Sequence, residues 1–413
     1  MGQMIGFKCN KKESMRKHRF EFIVPEHVYI KIDKTSDLIM EPNTKVFKGS
    51  IMGYHQEPFK LPIISTVSGL FRDVIKENGS LYAVIENDML EKYEKRQGYK
   101  RKITNYTKEG FVELLYRNAV IGQGGSGFPA YIKYATVRPV NHLIVNALEC
   151  EPGITSDYET MFNHTENILD AVDAILKINK IDKATIAINS EYTDVIDLFH
   201  QYLGSYPEIE LKVMTVKYPI GAAKVLVKEI VGDSFNVCSS EVGVIINNVS
   251  TIYNIYRALR YNRPTTEKVI TITGDLITKP ENVLVKIGMK ANNLVAALDL
   301  PLNDNVQVIN GGKLYGISYS DYNFVINGAT IGMTIKKPEP VSSTTCINCG
   351  KCSAHCPMHV QVAVALKVDN PKYYPKCLVE TCIACGLCSY VCPAKINLKD
   401  MVLTAKEEVS NEK

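Results

Sequence analysis

The C-terminal part of the chain contains CINCGKCSAHCP at residues 346–357 and CIACGLCSYVCP at residues 382–393. Both stretches read Cys-x2-Cys-x2-Cys-x3-Cys-Pro, which is the spacing of bacterial ferredoxins with two [4Fe-4S] clusters. Three cysteines two residues apart surround one corner of a cubane, and the fourth ligates the other cluster. The two stretches therefore predict a ferredoxin-like module with two [4Fe-4S] clusters.

Crossed ligation divides these cysteines into two sets of four. One cluster is assigned Cys346, Cys349, Cys352 and Cys392, and the other is assigned Cys382, Cys385, Cys388 and Cys356. Zinc also accepts thiolates, but zinc sites normally use pairs of Cys-x2-Cys separated by a longer loop. Two identical four-cysteine runs, each ended by proline, favour iron–sulfur clusters.

The remaining cysteines do not suggest a disulfide framework. The chain has 413 residues and 12 Cys, nine of them between Cys346 and Cys392, whereas disulfides are typical of small secreted chains with cysteines throughout. We interpret Cys377 as a structural thiol, with a spare ligand or redox thiol as the alternative. Cys9, Cys150 and Cys238 are interpreted as ordinary residues.

Bulk composition limits the class of protein. The hydrophobic fraction of 46% is enough for several cores, and the net charge of +4 gives no basic field for nucleic acid. The basic residues among the first twenty are interpreted as a solvated surface arm. Because the sequence has neither a bilayer-spanning apolar run nor a signal-peptide core, we expect a cytoplasmic protein without direct membrane insertion. The alternative is peripheral attachment to the inner face of the cell membrane through partner proteins.

Three further domains are predicted upstream. Short β-branched runs separated by turn residues indicate a small β-barrel or sandwich between residues 20 and about 95. A helix with Thr107 as its N-cap then begins an alternation of helices and strands, including HLIVNAL (142–148), which is typical of a parallel sheet. Strands return after Lys268 around the helix ANNLVAAL (291–298), and DYNFVING (321–328) is one of them. We therefore place domains at residues 1–105, 106–260, 261–335 and 336–413.

A glycine-rich stretch, GQGGSGFP at residues 122–129, contains the G-x-G-x-x-G pattern. The dinucleotide fingerprint requires a preceding strand, and here a helix precedes the glycines. The pattern still permits phosphate binding, because glycines bring backbone amides close to an anion and Lys133 adds charge. A plain loop turn is the alternative.

Five stretches together resemble the RnfC family of respiratory electron-transport proteins and the NADH-oxidising flavoprotein of complex I. They are GGSGFPAYIKY (124–134), LIVNALECEPGITSDYE (143–159), YPIGAAK (218–224), INNVSTIYN (246–254) and VINGGKLYG (308–316). With the cysteine runs, the resemblance covers nearly the whole chain. It implies a multidomain α/β and α+β protein with an N-terminal barrel-sandwich domain, a Rossmann-like FMN domain, an SLBB β-grasp domain and a dicluster ferredoxin domain.

The resemblance also implies cofactor-binding residues. The phosphate of FMN is expected on Gly122, Gly124, Gly125, Gly127 and Lys133. The flavin and nicotinamide face is expected to be lined by Asn146, Glu149 and Glu151. The flavin site is expected to be completed by Asn247, Asn248 and Thr251. No catalytic acid–base residues are expected.

The implied function is that of an NADH-linked iron–sulfur flavoprotein oxidoreductase. Electrons would pass between NAD(P)H, FMN and the two clusters, and to or from a redox partner such as Rnf membrane subunits, ferredoxin or a soluble reductase. Ala223 and Leu148 stand where the family usually has acidic residues, and GGKLYG replaces GGPMMG. These departures favour a diverged member, similar to the electron-transfer protein of proline reductase and the corrinoid reductase of propanediol utilisation. They also keep open the alternative of an electron wire or adaptor that uses only the clusters.

Overall fold

The structure is a computed structural model that describes residues 7–8, 18–95, 103–301, 306–338, 343–368 and 370–411. The N-terminal part is composed of strands: β1 (Phe7–Lys8), β2 (His18–Ile23), β3 (His27–Ile32), β4 (Asp37–Leu38), β5 (Lys45–Val46), β6 (Ile51–His55), β7 (Leu61–Ile64), β8 (Gly69–Glu77) and β9 (Ser80–Asn87). One sheet has the order β3-β9-β8-β5 and another β4-β6-β7. The two sheets enclose a core that includes Val28, Met52 and Phe71. The structure therefore confirms that this segment is composed of β-strands in two sheets around one core.

The next part alternates helices and strands, as the sequence predicts. It contains α1 (Lys108–Arg117), α2 (Ala130–Tyr134), β10 (His142–Ala147), α3 (Ser156–Asn179), β11 (Lys183–Asn189), α4 (Thr193–Leu203), β12 (Ile209–Met214), β13 (Lys217–Tyr218), α5 (Ala223–Val231), β14 (Val244–Asn248) and α6 (Val249–Tyr261). The predicted N-cap is confirmed, because the Thr107 side chain accepts a hydrogen bond of 3.1 Å from the Gly110 amide. We call the segment from α1 to α6 the parallel-sheet domain.

The parallel sheet determines where a ligand can bind. Its strands lie in the order β12-β11-β10-β14 and are parallel. The chain runs outward from β10 to β11 and β12, and then returns to the other side of β10 to form β14. Ligands of open α/β sheets bind beyond the carboxyl ends of the strands at such a switch point. The carboxyl ends of β10 and β14 therefore mark the expected position of the site.

A mixed sheet follows. Its elements are β15 (Glu267–Thr273), β16 (Glu281–Lys286), α7 (Asn292–Leu298), β17 (Gln307–Asn310), β18 (Ile317–Tyr319) and β19 (Gly332–Lys336). The sheet has the order β18-β17-β19-β15-β16-β2. Strand β2 therefore joins this sheet, although its residues belong to the segment that the sequence assigned to the N-terminal domain. We call the segment from β15 to β19 the mixed-sheet domain.

The prediction of a strand at residues 321–328 was wrong. Tyr322, Phe324 and Ile326 are buried, but the side chains of Asp321 and Asn327 accept hydrogen bonds from backbone amides two residues later. Asp and Asn make such local bonds at the expense of sheet ladders. The alternating apolar residues therefore reflect burial of an irregular segment.

Part of the N-terminal arm is also placed. Strand β1 pairs with β13 in an antiparallel arrangement, with Phe7 opposite Tyr218. The prediction of a wholly solvated arm is therefore wrong for these two residues, because their backbone is hydrogen-bonded to the parallel-sheet domain. It is wrong for Arg19 as well, because this residue lies in β2 and pairs with Val283 of β16. The other basic residues before residue 18 lie outside the described residues, as does Cys9.

The cysteine module is formed by short helices and loops. It contains α8 (Lys351–Ala354), α9 (Val362–Ala365), α10 (Leu387–Tyr390) and α11 (Leu398–Asn411). The two halves are alike, because α8 and α10 each follow a glycine with positive φ, Gly350 at 69° and Gly386 at 74°. Cys377 is 3% exposed in the module's apolar core, which agrees with a structural thiol. Within the described ranges, no helix is both long and apolar enough to cross a bilayer.

Candidate functional site

A cleft of about 390 Å³ opens beyond the carboxyl ends of β10 and β14. This volume lies within the range of small-molecule and cofactor sites. Four parts of the chain meet here: the glycine loop, both strand ends, the mixed-sheet domain and the cysteine module. Of the predicted cofactor-binding residues, the cleft is lined by Gly122, Gly124, Gly125, Lys133, Asn146, Glu149, Glu151 and Asn248.

Two positions of the glycine loop require glycine, one for close packing and one for its backbone conformation. A Cβ on Gly124 would lie 2.8 Å from Nδ2 of Asn248, which is closer than real Cβ contacts. Gly125 has φ of 100°, and a Cβ there would meet Cε1 of Tyr315 at 3.9 Å and no nearer atom of the described residues. The backbone at Gly125 therefore faces open space in the cleft, as a loop that receives a phosphate must.

Lys133 supplies a cation at the cleft. Its Nζ donates to the Ile246 carbonyl at 2.8 Å and to Oδ1 of Asn247 at 3.3 Å. Burial lowers the pKa of Lys133 to about 8. An ammonium has three hydrogens, and both of these acceptors are neutral. An anionic phosphate in the cleft therefore fits this residue, since it would accept the third hydrogen and raise the pKa again.

Three predicted residues lie behind the cleft wall instead of on it. Asn247 is 1% exposed and donates to the Tyr134 hydroxyl at 2.5 Å. The Thr251 hydroxyl accepts a hydrogen bond of 2.9 Å from the Gln123 amide, so it holds the glycine loop. Gly127 packs near Ala329, with φ of 61°. These residues position the wall that Lys133 and Gly124 present to a ligand.

The polar residues at the strand ends are also held by the protein. Asn146 donates to the Gly221 carbonyl at 2.9 Å and accepts from the Leu148 amide at 3.2 Å. Asn248 caps α6, and its Nδ2 donates to Asp157. Leu148 is fully buried in an apolar core, so the departure from the family at this position does not change the cleft surface.

Glu149 lines the cleft, but its carboxylate is occupied. Oε1 accepts from the Asp157 amide at 2.7 Å and from the Ser156 hydroxyl at 3.1 Å. Oε2 accepts from the Tyr158 amide at 3.2 Å and from the Tyr192 hydroxyl at 2.8 Å. A carboxylate has about four acceptor sites, and the positive end of a helix dipole favours a carboxylate here. Glu149 therefore caps α3 at the cleft.

Glu151 joins the parallel-sheet domain to the mixed-sheet domain. It is 6% exposed, and its Oε1 accepts from the backbone amides of Leu314 at 2.6 Å and Tyr315 at 3.3 Å. A Cβ on Gly312 would lie 1.9 Å from Cγ of Glu151, so glycine is required for this approach. The stretch GGKLYG is thus held against the cleft by one carboxylate.

The sequence did not single out Asp157, which also lines the cleft. Its carboxylate accepts from the Ser250 hydroxyl at 2.6 Å and from Asn248. Burial, together with the nearby Glu149, raises the pKa of Asp157 to about 7. The signal that could have found it was its position in the first turn of a helix that follows a β-strand. Ala222 and Ala223 line the cleft as well, so the cleft is apolar at these two positions.

The cysteine module contains two further cavities, each lined by one of the predicted cysteine sets. The distal cavity is lined by Cys346, Cys349, Cys352 and Cys392, and the proximal cavity by Cys356, Cys382, Cys385 and Cys388. Among the described residues, no group of three or more His, Cys, Asp or Glu side chains converges closely enough to hold one metal ion. Each cavity is lined by four cysteines, which is the number of thiolate ligands that a [4Fe-4S] cluster takes.

The cleft and the proximal cavity share a wall. Ile383 and Cys385 line both of them, whereas none of the distal cysteines lines the cleft. The distal cavity instead lies near the surface, where Ile347 is 63% exposed and Cys349 is exposed. The three cavities therefore follow one another from the cleft to the protein surface.

Two family models match the regions that form these cavities. A model described as a Nuo51 FMN-binding domain matches residues 115–257, and one described as a 4Fe-4S dicluster domain matches residues 345–396. The first match contains the glycine loop, Lys133 and both strand ends. The second contains all eight cysteines of the distal and proximal cavities. The chain thus has an FMN-binding domain and a dicluster domain.

Relatives in several bacteria match most of the chain. The C subunit of the ion-translocating oxidoreductase complex of Buchnera aphidicola is 30% identical over 77% of this chain and 69% of the relative. The C subunit of the same name from Pasteurella multocida is 28% identical over 81% of this chain. The C subunit of the Na(+)-translocating ferredoxin:NAD(+) oxidoreductase complex of Acetobacterium woodii is 26% identical over 86% of this chain and 82% of the relative. The chain spans only 42% of the length of the Pasteurella relative.

A solved structure shares the fold. The NAD+-reducing [NiFe]-hydrogenase in the H2-reduced state contains a chain that matches 76% of this protein with a TM-score of 0.51 and 15% identity, over 61% of that chain. Since the fold, the two domain matches and the Buchnera relative agree, the chain belongs to the RnfC family, the family of the C subunit of ion-translocating oxidoreductase complexes.

Proposed function

We propose that this chain is an electron-transfer subunit that passes electrons between NAD(P)H, FMN in the cleft and two [4Fe-4S] clusters, and exchanges them with a redox protein. The observation that carries the proposal is the wall of Ile383 and Cys385, which lines both the cleft and the proximal cavity. Electron transfer requires cofactors that lie close together. The shared wall meets this requirement.

When bound, FMN exchanges electron pairs with a hydride donor and single electrons with the clusters, and the protein sets orientation and electrostatics. Gly122, Gly124 and Gly125 receive the phosphate, and Lys133 pairs with its charge. Asn146 and Asn248 present polar edges to the flavin. Asn247 and Thr251 hold this wall from behind, because they accept hydrogen bonds from Lys133 and from the Gln123 amide. Gly127 closes the glycine loop, since its amide donates to the Gly122 carbonyl at 3.1 Å.

The nicotinamide end of the cleft is the finer part of the proposal. Glu149 and Glu151 shape this end, and their carboxylates hold α3 and the GGKLYG stretch in place. NAD is named for the Acetobacterium relative, and we extend it to this chain as the hydride partner. Ala222 and Ala223 make the adjoining surface apolar, which suits a ring face better than ribose hydroxyls.

We infer crossed ligation of the clusters by the cysteine sets that line the distal and proximal cavities. The distal cluster then lies beside exposed Ile347 and Cys349, where a redox protein docks. That partner is a ferredoxin, a soluble reductase or a membrane subunit of an Rnf-type complex. A membrane subunit would place this chain at the inner face of the cell membrane. The N-terminal and mixed-sheet domains correspond in this proposal to the barrel-sandwich and SLBB β-grasp domains.

Anaerobic purification and visible spectroscopy test the function. We expect flavin absorbance together with the broad absorbance of iron–sulfur clusters, FMN in the released flavin, about eight irons per chain, and bleaching by NADH or NADPH. Clusters without flavin would contradict the proposal and favour the alternative of a wire or adaptor that uses only the clusters. Flavin that no nicotinamide bleaches would remove the hydride step.

Cysteine variants test the ligand assignment. Cys349→Ser should remove the distal cluster and leave FMN and the proximal cluster, whereas Cys385→Ser should remove the proximal cluster. Cys377→Ser is the matched control, because this buried thiol lines neither cavity. Loss of a cluster in the Cys377 variant, or retention of both clusters in the other two, would refute the assignment.

A further inference from the structure

Tyr218 lies at the boundary between the cleft and the proximal cavity. It lines the cleft, is 4% exposed, and packs with Leu314 of the mixed-sheet domain and Leu387 of the cysteine module. Its hydroxyl donates a hydrogen bond of 2.6 Å to the backbone carbonyl of Cys385. Tyr218 of the parallel-sheet domain is therefore hydrogen-bonded to Cys385, which lies in the wall between the cleft and the proximal cavity.

We propose that Tyr218 is a positioning residue that fixes the Cys385 loop against the cleft and raises the reduction potential of the proximal cluster. The proposal rests on the proposed function, since it requires a flavin in the cleft and a cluster in the proximal cavity. The hydrogen bond from Tyr218 to Cys385 would connect the flavin site to the proximal cluster.

The hydrogen-bond geometry supports a fixed position. The Cys385 loop is held at two points by side chains from other elements. Lys406 of α11 donates to the Cys382 carbonyl at 2.7 Å, and Tyr218 donates to the Cys385 carbonyl at the other side of the loop. Lys406 belongs to the cysteine module itself, whereas Tyr218 belongs to the domain that forms the cleft. Tyr218 therefore ties the loop to the domain that forms the cleft.

Packing makes this contact rigid. A Cβ on Gly386 would lie 2.5 Å from the Leu314 carbonyl, so the loop residue after Cys385 presses against the mixed-sheet domain. Tyr218 of the parallel-sheet domain thus contacts Cys385, and Leu314 of the mixed-sheet domain contacts the next residue of the loop, Gly386. Tyrosine suits this place because its ring fills the apolar space and its hydroxyl satisfies a buried carbonyl.

Electrostatics gives the direction of the effect on the cluster. Reduction adds negative charge to an iron–sulfur cluster, and hydrogen bonds and burial near its ligands set the potential. The Tyr218 hydroxyl places the positive end of its dipole at a ligand residue and offsets the negative carbonyl oxygen. Removal of the hydroxyl should therefore stabilise the oxidised proximal cluster relative to the reduced one.

Tyr218→Phe is the variant that tests the proposal, because it keeps the ring and removes the hydroxyl. The net value of one hydrogen bond predicts a roughly three- to tenfold change in the redox equilibrium of the proximal cluster. Tenfold corresponds to a shift of about 59 mV to more negative potential for a one-electron couple. The measurement is an anaerobic redox titration of the intact protein, followed by the electron paramagnetic resonance of the reduced clusters.

Tyr322→Phe is the matched control. This tyrosine is also buried, at 6% exposed, and donates to a backbone carbonyl, that of Pro301 at 2.9 Å, away from the cleft and both cavities. We expect one of the two cluster potentials to fall in Tyr218→Phe and neither to change in Tyr322→Phe. Equal potentials in wild type and Tyr218→Phe would overturn the inference. Wild-type protein without flavin or without two cluster signals would instead overturn the proposed function, and the inference with it.

Discussion

Lys133 is the residue whose charge state matters most for ligand binding. Because burial lowers its pKa to about 8, it is protonated below that pH and neutral above it. A bound phosphate favours the charged form. Phosphate binding above pH 8 must therefore take up a proton, and the affinity for FMN should fall as the pH rises above 8, by up to about tenfold per pH unit.

Quenching of FMN fluorescence by protein stripped of flavin, between pH 7 and 9.5, measures this dependence. Lys133→Arg should bind FMN without the decrease, because arginine stays charged over this range. Lys108→Ala is the control for removal of a lysine, since Lys108 donates to the Thr136 carbonyl, outside the cleft. An affinity of wild type that stays constant from pH 7 to 9.5 would contradict the assigned role of Lys133.

Gly124 is a second residue with a testable requirement. Gly124→Ala places a Cβ within 2.8 to 3.0 Å of the Asn248 side chain, so the Asn248 amide must shift away from α6 and Asp157. Overpacking of this kind costs about 1–3 kcal/mol, and we expect weaker retention of FMN after gel filtration. Gly204→Ala is the matched control, because no atom of the described residues lies within 4 Å of its Cβ position. Equal FMN content in the two variants would show that the loop tolerates a side chain.

At the scale of elements, the GGKLYG stretch depends on Glu151. Glu151→Ala removes the acceptor of the Leu314 and Tyr315 amides. Hydrogen bonds to charged groups contribute about 1.5–3 kcal/mol, so unfolding free energy should fall by that amount. Hydrogen exchange should become faster at both amides.

Asp275→Ala serves as the control for this loop. Asp275 is paired with Lys313 of the same stretch at 2.7 Å, and both side chains are more than a third exposed. Exposed pairs contribute about 0–1 kcal/mol, so exchange at Leu314 should remain near the wild-type rate. Slow exchange in the Glu151 variant would mean that packing alone holds the stretch.

Local signals explain which elements the sequence predicted. Helix α1 was predicted because Thr107 and the apolar positions Phe111 and Leu115 lie within a single helical pattern. The strand at residues 321–328 was predicted incorrectly, because alternation of apolar and polar residues indicates burial and does not by itself indicate a strand. The side chains of Asp321 and Asn327 accept hydrogen bonds from nearby backbone amides, which favours turns over pairing with a neighbouring strand. Strand β2 was assigned to the wrong neighbour because its partner, β16, lies more than 250 residues later.

At the scale of the whole molecule, a buried ion cluster joins three domains. Glu267 of the mixed-sheet domain pairs with Lys48 at 2.9 Å, Lys286 at 3.1 Å and Arg257 at 3.0 Å. Burial alone would raise the pKa of Glu267, but Arg257, Lys48 and Lys286 outweigh it and lower the pKa to about 2. The stabilisation from the ionised carboxylate is therefore complete above pH 4.5 and is lost only as the pH falls through about 2.

Glu267→Gln should consequently destabilise the protein at pH 7, because Arg257 loses its paired carboxylate and Lys48 and Lys286 are left to share Glu91. Breaking a buried pair costs about 3–5 kcal/mol. Urea unfolding under anaerobic conditions, followed by tyrosine fluorescence, measures the loss. Glu86→Gln is the control, since the side chains of Glu86 and its partner Arg72 are both exposed. This variant should change the unfolding free energy by no more than about 1 kcal/mol. Equal losses in both variants would exclude a role for the buried cluster.

The two cysteine sets, the glycine loop with Lys133 and the alternation that builds the parallel sheet could all be predicted from the sequence. These features are local, since each depends on spacing within a few tens of residues. Three features of the site become visible in the folded chain alone. Backbone amides occupy Glu149 and Glu151, Asp157 and Tyr218 line the cleft, and the Cys385 loop forms part of its wall. Such contacts join residues up to about 170 positions apart, and the packing of separate domains, not the periodicity of any one segment, brings them together.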